Sequence, residues 1–299
     1  MVRRLEIAAL LGLAGALTAC TELCVPGEAN LAFFSKGDCV LTKASFFQGH
    51  EWITYFGNED LEASQRFPSS ELLQIAEGNR RVDWPLELLV RLNASPVAYV
   101  QAIAEYTDRP ENQKLHFLLS DVNTTREAVA DSVAEIRRLS VEGVGRWAHE
   151  RSRALALFGR ATHIIQDSFS KAHSIRDGER EDCIEDVKAY IERAEGADDT
   201  GVTFHGGREV DTIGHTTTED SIYREGRDCH EPAGREEVET CLNGSAQRAR
   251  LATRDYLGMV HRAVARSVGE LEGSAEEILS PDFDAYVTSH FRLCEDTET

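Results

Sequence analysis

From about residue 44 onward, apolar residues recur three and four positions apart, the spacing of one helix face, and never settle into strict alternation. Val129, Val133 and Ile136 fall on one stripe at i, i+4 and i+7, which predicts a helix over 124–139. The stretch SSELLQIAEGN opens on a Ser-Ser-Glu cap signal, continues as a short amphipathic run and predicts a helix that ends at Gly78. Two short candidates follow at 84–92 and 96–106, each with a proline near its start, where the missing N–H is tolerated. A long Ala- and Leu-rich helix is predicted over 144–170, and further helices over 181–194 and 246–271. Hairpin dipeptides between β-branched runs are missing. The pattern predicts an all-α fold, a single multi-helix domain spanning 44–299. One segment departs from it: 196–235 is rich in Gly, Thr and Asp and holds three of the ten histidines. An irregular loop of that length in a compact domain is uncommon and is usually functional or disordered.

The first residues read as an address. Arg3 and Arg4 precede an apolar run over 7–19, too short for the about 20 residues that span a bilayer but suited to a signal peptide. Leu17-Thr18-Ala19-Cys20 resembles the bacterial lipobox, in which the cysteine is lipidated and becomes the mature first residue. The alternative is an ordinary cleaved signal with a chance cysteine. The expectation is a signal peptide over 1–19, a lipidated linker over 20–43 and a membrane anchor at Cys20. Thr21 in place of Asp favours, by the same resemblance, the outer membrane or periplasm-facing surface of a Gram-negative bacterium. Six further cysteines suit disulfides in an oxidising compartment, and no CxxC pair suggests a thiolate metal site. Cys24–Cys39 and Cys229–Cys241 are the local candidates, which leaves Cys183–Cys294, among fifteen possible pairings. A formal net charge of −20 argues against broad nucleic-acid affinity, although a metal cluster could supply positive charge locally.

The chemistry concentrates in FGRATHIIQDSFSKAHSIRD, residues 158–177. His163 and Asp167 stand at i, i+4, so a helix projects both from one face, and His173 follows near the helix end. Imidazole and carboxylate suit a borderline metal such as zinc. His50 opens the apolar run of QGHEWITYFG, Asp83 closes GNRRVDWP and His116 lies in ENQKLHFLL. His215 and Glu219 form a second i, i+4 pair in HTTTE. His149, His230, His261 and His290 read as surface or hydrogen-bonded structural residues. Trp52, Trp84 and Trp147 read as core more readily than as a substrate groove.

The order His50, Asp83, His116, His163-x3-Asp167-x5-His173, His215-x3-Glu219 resembles the zinc-dependent phospholipase C and single-strand-specific nuclease superfamily, over about 45–220. The resemblance implies an all-α fold with two or three zinc ions. Asp167 would bridge two of them, one of which Asp83, His116 and His163 would also hold; a separate zinc would be held by His173, His215 and Glu219. A third zinc, where present in that family, is held by the bridging Asp, the residue matching His50 and the amino group of an N-terminal Trp. Here lipidated Cys20 would stand in that terminal position, Lys171 replaces a frequent proline, and His205 competes with His215 for its role. The implied activity is phosphodiester hydrolysis of the phospholipase C type, with Asp83 also a candidate general base. Glu219 is more like the phospholipases than the nucleases, so phospholipid is the implied substrate and single-stranded nucleic acid the alternative. A noncatalytic lipoprotein stapled by zinc is the reading from a different class.

Overall fold

The structure is a computed structural model that describes residues 48–83, 106, 109–120, 123–171, 173–177, 183–188, 191–192, 203–204, 208–209, 235–268 and 273–294. Helix dominates the described residues, so the all-α expectation holds. The helices are α1 (Gln48–Glu59), α2 (Ser69–Asp83), the single turn α3 (Pro110–Gln113), α4 (Thr125–Arg146), α5 (Arg151–Asp167), α6 (Arg235–Cys241), α7 (Gly244–Val268) and α8 (Ala275–His290). Strands β1 (Ser174–Arg176) and β2 (Ile184–Val187) form an antiparallel pair, with an irregularity between Ile175 and Arg176. Three two-residue strands, β3 (Ile191–Glu192), β4 (Thr203–Phe204) and β5 (Arg208–Glu209), form a small antiparallel sheet that enters the expected irregular loop.

Helix α5 is the axis of the fold, packed by α2, α4 and α7. Every residue from 161 to 167 is buried, including Thr162, His163, Gln166 and Asp167. A helix buried all round is ordinarily apolar all round. These four polar side chains therefore have to find partners inside the protein. The approach of α2 sets how closely they can be reached. A Cβ added at Gly159 would overlap the carbonyl oxygen of Ile75, and one at Gly78 would overlap the backbone of Ala156. Backbone meets backbone at this crossing, which brings Asn79 of α2 against the buried face of α5.

The other helices are fixed by local signals and apolar packing. Thr124 and Ser274 each close a capping box with Glu127 and Glu277, worth about 1 kcal/mol apiece. Trp52 stacks on Phe56 at 5.4 Å, and Trp147 packs against Phe158 at 6.1 Å, so both tryptophans belong to the core. Asn58 imitates a paired backbone: its Nδ2 donates to the Phe67 carbonyl at 3.1 Å, and its Oδ1 accepts from the Phe67 N–H at 2.9 Å. Cys183 and Cys294 are joined, as the sequence suggested, and Ile184 bridges Leu293 beside them. Cys241 is disulfide-bonded too, to a residue outside the described set. No helix among the described residues is long and apolar enough to cross a membrane.

Several expected boundaries move. The helix predicted to end at Gly78 runs on to Asp83, because Gly78 serves helix packing and does not terminate. The chain predicted to break between 139 and 144 breaks instead at 147–150; Gly143 stays helical and lies against the ring of Phe158. The helix predicted over 181–194 is absent: Ile184 to Val187 is strand, with Ile184 and Val187 buried. Its i, i+3 apolar spacing suits an irregular strand as well, and pairing with β1 together with the Cys183 crosslink decides between them. Helix α8 ends at His290, a position expected to be helical although no range was assigned to the helix; Pro281 lies inside it. The candidates at 84–92 and 96–106 lie outside the described residues.

The glycine crossing gives a stability test. Gly159→Ala is expected to destabilise the protein by about 1–3 kcal/mol, despite the roughly 1 kcal/mol advantage of Ala over Gly within a helix. Gly145→Ala, whose nearest neighbour is the Ala275 Cβ at 3.7 Å, is expected to be neutral or stabilising in the same denaturant titration.

Candidate metal centre

The centre is built around Asp167, the last residue of α5. Its carboxylate is buried and faces imidazoles delivered by four separate segments. His163, one turn earlier on α5, brings Nε2 to 3.0 Å from Oδ2. His50, near the start of α1, brings Nε2 to 3.2 Å from Oδ1. His116, in the turn after α3, places Nδ1 3.5 Å from Oδ2 and 3.2 Å from His163 Nε2. His173, just before β1, places Nδ1 3.9 Å from Oδ2. One atom from each of His50, His163 and Asp167 lies within 4.8 Å of the others, a group that could hold a metal ion.

The burial is uneven. His163, Asp167, His116 and His173 are almost wholly enclosed, while His50 keeps 19% of its side chain exposed, so the described residues leave the cluster open on the α1 side. Burial alone would raise the Asp167 carboxyl. The nearby histidines, His163, His173 and His50 in order of effect, outweigh it and hold the group well below the ordinary carboxylate range. Even so, Asp167 Oδ2 accepts no hydrogen bond of proper geometry. An enclosed carboxylate with the His163, His50 and His116 ring nitrogens gathered at 3.0–3.5 Å is a donor set that fits a divalent cation.

The ligand segments are also tied to one another. His173 Nδ1–H donates to the His116 carbonyl at 2.7 Å, so a cation at His173 would have to use Nε2. The Lys188 N–H donates to the His173 carbonyl at 2.8 Å, and the Leu119 N–H to the Lys188 carbonyl at 3.0 Å. The end of β2 thereby holds both segments in register. Phe117 has φ of 50°, the left-handed region that a bulky residue rarely adopts, with its ring buried against Phe291 at 5.8 Å. That conformation, costing on the order of 1–3 kcal/mol, turns the chain directly beside His116. Lys114, paired with buried Glu135 at 3.2 Å, fastens the same turn to α4.

The structure thus brings together His50, His116, His163, Asp167 and His173 from the sequence-derived set. Asp83 is the last residue of α2, four positions after Asn79, and its side chain is outside the described residues. His215, Glu219, the competing His205 and the lipidation site Cys20 also lie outside them. His149 is exposed in the break between α4 and α5, and His290 pairs with Asp255 at 3.1 Å. Sequence reasoning missed Asn79 and Gln166. Asn79 Oδ1 lies 2.9 Å from His163 Nδ1, and Gln166 Oε1 lies 2.8 Å from His50 Nδ1. The available signal was polarity on a stripe otherwise destined for the core.

Glu51, next to His50, is buried, and that burial pushes its carboxyl up to about 7 despite Arg80 at 3.9 Å. No protein-family model, no curated protein and no solved structure matches the chain, so the centre is read on its own chemistry.

A pH test follows from Glu51. The folded state keeps its proton up to about 7, whereas an unfolded glutamate releases it near about 4.3. Across that window the folded state binds more protons, so stability falls as pH rises and then levels off. Glu51→Gln should match the parent near pH 4 and exceed it near pH 8 by on the order of 3–4 kcal/mol. Equal stability at both pH values would show that the buried group ionises freely.

Proposed function

We propose that the protein is a zinc-dependent phosphodiester hydrolase of the phospholipase C type, held by lipid at Cys20 on the periplasm-facing side of an outer membrane. The observation that carries the reading is the buried Asp167 carboxylate with His50, His116, His163 and His173 converging on it. Zinc held by such residues lowers the pKa of water toward neutrality and neutralises phosphoryl oxygens. His50, His116, His163 and Asp167 would hold one or two ions, and His173 would join His215 and Glu219 at another. Asp83, at the end of α2, is assigned to the same ligand set and to accepting a proton from the attacking water. Packing around α5 excludes solvent from the far side of the cluster and leaves the His50 side for substrate. The net charge of −20 favours a phospholipid over an extended polyanion such as single-stranded DNA.

A closed metal staple is the second reading, favoured by the near-complete burial of His163 and Asp167. Structural zinc sites are closed, whereas catalytic ones keep an open position.

The deciding experiment follows phosphatidylcholine and single-stranded DNA side by side, with the zinc-supplied, disulfide-bonded chain and His163→Ala as the blank. Phospholipid cleavage that the blank lacks is the expected outcome; cleavage of DNA alone would transfer the reading to a nuclease. Asp83→Asn is expected to cost at least about 100-fold in turnover with little change in melting temperature. Parallel loss of both would favour the staple. Asp167→Ala should lower bound zinc per chain, and unchanged stoichiometry would overturn the ligand assignment.

A further inference from the structure

Behind the histidines, the direction of each hydrogen bond can be followed from the backbone outward. The Thr54 hydroxyl donates to the His50 carbonyl at 2.8 Å, and the Thr162 hydroxyl to the Gly159 carbonyl at 2.7 Å. A hydroxyl has one proton, so toward every other neighbour these two are acceptors. Asn79 accordingly turns its NH2 toward Thr162 Oγ1 at 3.1 Å, Thr54 Oγ1 at 3.3 Å and Gln166 Oε1 at 3.0 Å. Gln166 gives its own NH2 to Thr54 Oγ1 at 2.9 Å and Thr253 Oγ1 at 3.2 Å. Reversing either amide would set oxygen against oxygen in a buried site. The amide oxygens are thereby left facing His163 Nδ1 at 2.9 Å and His50 Nδ1 at 2.8 Å. An amide oxygen only accepts, so both imidazoles donate.

We propose that Asn79 and Gln166 are positioning residues that keep a proton on Nδ1 of His163 and of His50, and so commit both Nε2 atoms to cation binding beside Asp167. The ordering begins at two threonine hydroxyls on α1 and α5 and reaches two rings across α1, α2, α5 and α7. Outer partners of this kind fix the orientation and tautomer of a ligating histidine, and their loss typically lowers metal affinity about 10–100-fold. The inference rests on the metal reading, but the proton assignment can be measured without metal.

The test uses the full disulfide-bonded chain, metal-stripped and labelled with 15N at histidine. Protonated, slowly exchanging Nδ1 on both rings is expected; a bare Nδ1 with a protonated Nε2 on either ring overturns the assignment. In zinc titrations, Asn79→Leu should lower affinity about 10–100-fold and mix the His163 tautomers. Asn79→Asp keeps an oxygen opposite Nδ1 and should preserve the His163 tautomer, while its second oxygen, set against Thr54, Thr162 and Gln166, should lower stability. Gln166→Leu should do to His50 what Asn79→Leu does to His163, and it decides the matter if the Asn79 variant fails to fold. A folded Leu variant with parental affinity and parental tautomers overturns the positioning role. A parent chain with both Nδ1 protons but no zinc uptake leaves the assignment standing and removes the metal reading.

Discussion

A carboxylate buried at the C-terminal end of a helix is held where two effects oppose it. Water is excluded, and the unpaired carbonyls of the last turn contribute roughly half a negative charge. Asp167 ends α5 in that situation. Part of the compensation is Arg176, whose Nε–H donates to the Ser168 carbonyl at 2.8 Å and whose guanidinium lies 4.0 Å over the Phe169 ring. The remainder has to come from the imidazole cluster, through protons or through a bound cation. The arrangement of the surrounding helices is a response to that requirement. Imidazoles arrive from α1, from the turn after α3, from α5 and from the segment before β1, because no single helix could surround the carboxylate.

Close packing and the polar network behind the centre are one feature. Asn79 immediately follows Gly78, and Thr162 lies three residues after Gly159, so the glycine crossing of α2 and α5 sets the distance over which the amide reaches the imidazole. A loose apolar interface could slide by a fraction of an ångström without consequence. Here such a slide would lengthen a buried hydrogen bond, which ties the packing of the core to the geometry of the centre.

What could be read from the sequence depended on whether the deciding partner was near in the chain. His163 and Asp167 were legible because helix periodicity alone places them together. His50 and His116 were linked to them only through a resemblance, and three-dimensional packing is what assembles the group. Gly78 looked like a helix end because its packing partner, Ala156, is distant in sequence. Residues 181–194 looked helical because Ile184 and Val187 satisfy either periodicity until β1 and Cys294 are taken into account. Asn79 and Gln166 were not legible at all. The role of a buried amide depends on where neighbouring hydroxyl protons already go, and no local pattern records that.

The crosslink between Cys183 and Cys294 spans 111 positions of sequence. Strand β2 lies inside that loop, and its end carries the backbone hydrogen bond to His173. A ribosome that has made everything through His173 has therefore supplied the imidazoles and carboxylate of the described cluster but not the clamp that holds the last of them. The disulfide that fastens β2 can close only after residue 294 has emerged and an oxidant is present, so the order of synthesis and the redox state of the compartment together set when this strand is locked in place.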